Sequence, residues 1–123
     1  MTADGEGGGL LGPLEGEVMD VMWSAGASLS VRAVLVELNR GRSQPLAYTT
    51  VMTVMSRLAE KDVLRRTKDG RGYVYEAAVT DEAGLAVRDV IRDFGDSALA
   101  HFVEEARADP RLLKRLQRLM RDK

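Results

Sequence analysis

The clearest run of spaced apolar positions lies in residues 47–61. Val51, Val54, Met55 and Leu58 recur at i, i+3, i+4 and i+7, the spacing of one buried helical face. At about 100° per residue, Thr49, Thr53 and Ser56 fall opposite that face, and Thr50 and Arg57 lie on its flank. The same rule predicts two helices upstream. Pro13 suits a first helical turn, and Leu14, Val18, Val21, Met22 and Ala25 share a face that Gly26 ends. Trp23 is expected as an anchor at the edge of the core. Val31, Val34, Leu35 and Leu38 form the second apolar face, with Ser28 or Ser30 as the cap and Asn39 and Gly41 as the stop. Pro45 disfavours helix at Gln44, so residues 42–45 read as a turn before the Thr-rich helix.

After Asp62 the period changes. Residues 63–67 and 73–77 read as two short strands, and Lys68-Asp69-Gly70-Arg71-Gly72 between them is a hairpin signal. From Thr80, expected as a cap, the pattern is helical again. Ala83, Val87, Val90, Ile91 and Phe94 share one face. Leu99, Phe102, Val103 and Ala106 follow a break at Gly95. Asp109-Pro110 caps and opens a last helix carrying Leu112, Leu113, Leu116, Leu119 and Met120. The predicted class is mainly α with a small β-hairpin. Residues 1–12, rich in glycine, are expected to be a flexible tail, residues 13–79 a winged helix-turn-helix domain, and residues 80–123 a helical dimerisation region. The 44 residues from 80 onward are too few for a core of their own. Their apolar positions Val87, Val90, Ile91, Phe94, Leu99, Phe102, Val103, Leu112, Leu113 and Leu116 are therefore expected to meet a symmetric partner. The competing arrangement packs them back on the N-terminal domain.

Charge adds a direction. The net charge is −1, yet residues 29–79 carry nine bases against five acids, residues 1–28 carry only acids, and residues 80–123 balance. The excess of positive charge sits in the block that holds the Thr-rich helix. A helix face of small hydroxyls can enter a groove closely and hydrogen-bond to base edges or phosphates. Thr49, Thr50 and Thr53 are thus candidates for base contacts. Arg57 and Lys61 on the helix and Lys68 and Arg71 on the hairpin are candidates for phosphate contacts, with Arg32 and Arg42 as additions. Three helices followed by a charged hairpin is the layout in which the third helix enters the major groove of double-stranded DNA and the wing lies along the backbone.

Other chemistries find little. There is no cysteine and one histidine, His101, so thiolate metal sites, disulfides and multi-histidine zinc sites are excluded. No metal or cofactor is expected. The glycines near the N-terminus follow no strand and precede no Gly-Lys-Ser/Thr, so they do not make a phosphate loop. No carboxylate pair suggests a catalytic site, and an enzyme is not expected. No apolar run approaches the roughly 18 residues of a membrane span and no secretory signal is evident, so membrane insertion is not expected and a cytoplasmic protein is.

Several segments together carry a family resemblance. They are Glu17-Val18-Met19 with Met22-Trp23, Val31 through Leu38, Ala47 through Thr53 with Arg57-Leu58, Lys61 and Leu64, and Arg71 with Tyr73 and Tyr75. Residues from about 14 to 107 resemble the penicillinase-repressor and methicillin-resistance-regulator family, most specifically from Tyr48 to Leu64. The resemblance implies a homodimeric winged-helix repressor on a dyad-symmetric operator, with DNA contacts mapping onto Thr49, Thr50, Thr53 and Arg57 and the wing onto Lys68 to Arg71. It also implies pairing through three C-terminal helices. Relatives are inactivated by cleavage before a Phe-Val pair when a membrane-bound metalloprotease sensor detects a β-lactam, and the matching bond here is His101–Phe102, followed by Val103. The chain departs from the family at Met52, where a basic residue or Gln is frequent, near Thr49, where Lys or Arg is frequent, and at Asp62, where Gly is usual. It lacks the C-terminal cysteine pairs of copper-responsive relatives. Two other functional classes are open to such a chain: a winged-helix regulator gated by a small ligand, and a winged helix that binds protein instead of DNA.

Overall fold

The computed structural model describes residues 11–122. The expected tail lies outside them except for Leu11, which packs against the core, and Gly12, which caps the first helix. The elements in order are α1 (Pro13–Ala25), β1 (Leu29–Ser30), α2 (Val31–Asn39), α3 (Tyr48–Glu60), β2 (Leu64–Asp69), β3 (Gly72–Ala77), α4 (Glu82–Phe94), α5 (Asp96–Ala108) and α6 (Pro110–Arg121). The fold is mainly helical: a winged helix-turn-helix with a three-stranded antiparallel sheet, followed by C-terminal helices. The chain divides into two compact units within α4, at Leu85 and Ala86.

In the first unit one core joins α1, α2, α3 and the sheet. Val18, Met19 and Met22 of α1, Val34 of α2, and Val51, Met55 and Leu58 of α3 are all but inaccessible to solvent. The face expected on α1 shifts by one position: Met19 is buried and Ala25 is exposed. Ala25 is the last residue of α1, next to the left-handed Gly26 that ends it, and has little side chain to bury. Trp23 anchors the core edge as expected, its indole N–H donating to the Val79 carbonyl at 2.9 Å. It thereby pins the segment that leaves the wing to the end of α1.

Local chemistry explains where the elements begin and end. Ser30 caps α2, its hydroxyl accepting from the Ala33 N–H at 3.1 Å. Asn39 does more than stop that helix. Its side-chain amide donates to the Leu46 carbonyl at 3.1 Å and accepts from the Leu46 N–H at 2.7 Å, so both polar backbone groups of Leu46 are satisfied by one side chain. That pair of bonds closes the turn between α2 and α3 and fixes where α3 starts. The sequence pattern puts the cap of α4 at Thr80; in the structure Asp81 takes the role, its carboxylate accepting from the Gly84 N–H at 2.9 Å. The caps expected at Asp109 and Pro110 form, with Asp109 accepting from the N–H groups of Arg111 and Leu112.

The strands run one or two residues longer toward the tip than the pattern predicts. Gly70 has φ 64° and occupies the first of two turn residues, where a II′ hairpin turn favours glycine. A strand missed by the sequence, β1, pairs antiparallel with β3, Leu29 opposite Tyr75 and Ser30 opposite Val74. Two residues carry no detectable alternation, so only the long-range pairing defines it.

The end of α3 explains the departure at Asp62. The Val63 N–H donates to the Leu58 carbonyl at 2.9 Å, and the Asp62 N–H to the Ala59 carbonyl at 3.1 Å, which is the Schellman pattern. Leu58 and Val63 close the accompanying apolar contact, both buried. This geometry puts Asp62 at φ 63°, where a side chain costs about 1–2 kcal/mol, and glycine is free of that cost at the expense of its larger chain entropy. Asp62→Gly is therefore expected to raise stability by no more than about 0.5 kcal/mol, because aspartate tolerates this region better than most side chains and Asp62 also makes an interaction that the substitution disturbs. Asp62→Val is expected to lower it by about as much or more, because a β-branched residue tolerates positive φ poorly. Thermal melting of the two variants beside the parent checks both signs.

The second unit comprises the rest of α4, with α5 and α6. Ala98 and Ala106 are its buried residues. Its larger apolar side chains are not covered: Val87, Val90, Ile91, Phe94, Leu99, Phe102, Val103, Leu116, Leu119 and Met120 are all exposed, and Leu112 and Leu113 are half-buried.

Candidate nucleic-acid interface

The face of α3 opposite the core is open to solvent. Thr49, Thr50, Met52, Thr53 and Arg57 are exposed, while Val51, Val54, Met55 and Leu58 are buried. The helix thus keeps its two sides distinct, and three threonine hydroxyls with one guanidinium occupy the outer one. Arg57 makes no ion pair among the described residues, which leaves its charge available. Lys68 and Arg71, near the tip of the hairpin, are likewise exposed and unpaired within the described residues.

Lys61 does not join this group. Its ammonium lies 3.1 and 3.2 Å from the two carboxylate oxygens of Glu15. Glu15 also accepts from the Gly12 N–H at 3.1 Å, so one carboxylate ties the start of α1 to the end of α3. Arg42 is also engaged elsewhere, donating to Glu17 at 2.6 Å and to the Leu38 carbonyl at 3.1 Å. It braces the turn before α3 against α1. Arg40 pairs with Glu37 at 2.7 Å, and that hydrogen bond holds the Glu37 carboxyl below its ordinary range. These three cations raised the count of bases in residues 29–79, but their acidic partners cancel them locally.

Two arginines stand differently. The Arg32 guanidinium lies over the Tyr48 ring, 5.3 Å from its centroid, and that of Arg66 lies over Tyr73 at 4.5 Å. Neither is ion-paired within the described residues. The sequence alone assigns Arg66 no role, and it offers Tyr48 and Tyr73 only as carriers of the family resemblance, not as supports for arginine. The strand register makes Tyr73 a diagonal neighbour of Arg66, which stands directly opposite Tyr75, and the Arg32–Tyr48 contact depends on how α2 and α3 are placed.

His101 and Phe102 lie on α5 in the second unit, both exposed, with the His101 Nδ1 3.3 Å from a Glu104 carboxylate oxygen. No helix among the described residues is long and apolar enough to cross a membrane.

Comparison with known proteins agrees with this geometry. The penicillinase repressor family model matches residues 11–122. The chain is 44% identical over 107 residues to the transcriptional regulator BlaI of Mycobacterium tuberculosis, in strains CDC 1551 and H37Rv, a match covering 80% of this chain and 75% of the regulator. The solution structure of the DNA-binding domain of the repressor BlaI superposes with a TM-score of 0.50 at 29% identity, covering 58% of this chain and 84% of that domain. The complex structure of hsRosR-S1 gives a TM-score of 0.53 at 16% identity over 98% of this chain and 95% of that one, a likeness of fold alone. The chain belongs to the penicillinase repressor family, transcriptional repressors that bind DNA, and is not an enzyme.

Proposed function

We propose that this chain represses transcription as a homodimer on a dyad-symmetric operator, reading bases with Thr49, Thr50 and Thr53 and holding phosphates with Arg57, Lys68 and Arg71. The observation that carries this reading is the two-sidedness of α3: a buried apolar side fixes it to the domain while hydroxyls and the Arg57 guanidinium, without an ion pair among the described residues, face outward. Threonine offers both a hydroxyl for base edges and a methyl for thymine. No chemistry on the DNA is required, since occupancy of a promoter suffices. The operator is recoverable by selecting random duplexes on the purified protein, and a dyad-symmetric consensus is the expected result.

The base and phosphate roles separate by mutation. Thr53→Ala is expected to weaken operator binding by about 1–3 kcal/mol with little change on random duplex. Arg71→Ala is expected to weaken both to a similar degree and to flatten the salt dependence. Competition binding at several salt concentrations distinguishes them. If Thr53→Ala keeps the parent's preference for operator over random duplex, the assignment of this face to base readout is wrong.

Dimerisation through Val87, Val90, Ile91, Phe94, Leu99, Phe102, Val103, Leu112, Leu113 and Leu116 is supported by how many of these side chains stand uncovered in the second unit. Such an extent of apolar surface marks an interaction site. Release of DNA would follow cleavage at His101–Phe102 by a membrane-bound metalloprotease sensor responding to a β-lactam or another cell-envelope signal. A protease needs an extended substrate, and this bond lies within α5. Cleavage there therefore requires α5 to unwind locally around His101.

A further inference from the structure

The wing is two-sided in a way that its charge count conceals. Along β2, Leu64, Arg66 and Lys68 alternate onto one face, opposite Ala77, Tyr75 and Tyr73 of β3. Leu64 and Tyr75 are buried in the core, so this is the face turned toward the domain, where β2 packs against α3. Toward the tip the core ends, and the same face carries Arg66, Lys68 and Tyr73 exposed. On the other face Arg65 stands opposite Glu76 and pairs with it at 3.2 Å. The cation turned away from the domain is thus neutralised, whereas Arg66 on the domain side has no carboxylate partner among the described residues and is laid on the Tyr73 ring instead. Arg32 repeats the arrangement on Tyr48, the first residue of α3.

We propose that Arg66 on Tyr73 and Arg32 on Tyr48 are two pre-set phosphate contacts, one on the wing and one at the start of the recognition helix, with the tyrosines as positioning residues. An aromatic ring holds a guanidinium by its face and leaves the in-plane N–H donors free. A carboxylate would occupy those donors and cancel the charge. A ring therefore orders the arginine and keeps its capacity for a phosphate, so less side-chain freedom is lost on binding. This inference rests on the reading of α3 as the DNA-facing helix; it adds Arg66 to the phosphate contacts and gives Arg32, already a candidate, a tyrosine that positions it.

The test uses the full chain and measures binding to the selected operator and to a random duplex of equal length across salt concentrations. Arg66→Gln and Arg32→Gln are each expected to reduce the slope of log affinity against log salt by about 0.9 per phosphate lost, hence about 1.8 for a dimer, and to weaken both duplexes alike. Tyr73→Leu keeps the charge of Arg66. It is expected to leave the slope near that of the parent while lowering affinity severalfold, and Tyr73→Phe, which keeps the ring, is expected to restore it. Melting midpoints of the Tyr73 variants, a residue 45% exposed, separate positioning from loss of fold. Unchanged slope and affinity in the glutamine variants overturns the inference. A loss confined to the operator also overturns it, in favour of base-edge contacts. Failure of the underlying reading looks different: the parent would then show no preference for any operator over random duplex.

Discussion

A chain ending at residue 101 is expected to be monomeric and to bind the operator about 100- to 10,000-fold more weakly than the full chain. That range is the gain from linking two modest binders so that the second engages intramolecularly. The fragment retains the whole of the first unit, from α1 to Leu85, with its buried core of Val18, Met19, Met22, Val34, Val51, Met55, Leu58 and Leu64, so the winged helix is expected to stay folded. What it loses is Phe102, Val103 and all of α6, a large part of the apolar surface of the second unit. Affinity for a single half-site is expected to be nearly that of one reader in the full chain, and only the two-site advantage disappears. Solution mass and titrations on full and half operators measure both quantities. A fragment that stays dimeric and binds the full operator as tightly as the parent would falsify release by cleavage at this bond.

The same division between the two units explains what the sequence disclosed. Helices α2 and α3 were legible because their apolar residues repeat at helical spacing and are buried where that spacing puts them, as with Val34 and Leu38, and with Val54 and Leu58. The hairpin was legible because Gly70 supplies a local turn signal whose φ is confirmed at 64°. Features set by pairing across the chain were not. Lys61 and Glu15 are 46 positions apart, and nothing near Lys61 announces that its charge is engaged by α1. The exchange of Asn39 with Leu46 is closer but depends on the exact path of the turn. Arg65 and Arg66 are neighbours in sequence and read alike. Only the register sends one to Glu76 and the other to Tyr73. Counting bases therefore overstated how many charges of residues 29–79 stand without an acidic partner among the described residues.

The two methionines of α3 put that distinction to its sharpest test. Met55 is fully buried between the helices of the first unit, and Met52, three residues earlier, is 40% exposed on the outer side near Thr49 and Thr53. Met55→Ala is expected to destabilise the domain by about 2–5 kcal/mol, since it removes a buried side chain and leaves a cavity. For a domain of this size that lowers the melting midpoint by about 10 °C or more, and it removes a large part of a total stability that is itself only about 5–15 kcal/mol. Below the midpoint, the molecules that remain folded are expected to keep the parent's ratio of operator to random binding, because the outer face is untouched. Met52→Ala is expected to do the reverse. Stability should change by no more than about 0.5 kcal/mol, while the operator-to-random ratio falls severalfold as an apolar contact to base methyl groups is lost. Melting curves and competition titrations on the two proteins give four numbers, and the pattern matters more than any one of them. If Met52→Ala melts early or Met55→Ala alters sequence preference in the folded state, the two sides of α3 are not separate, and the helix cannot be oriented toward DNA as its threonines require.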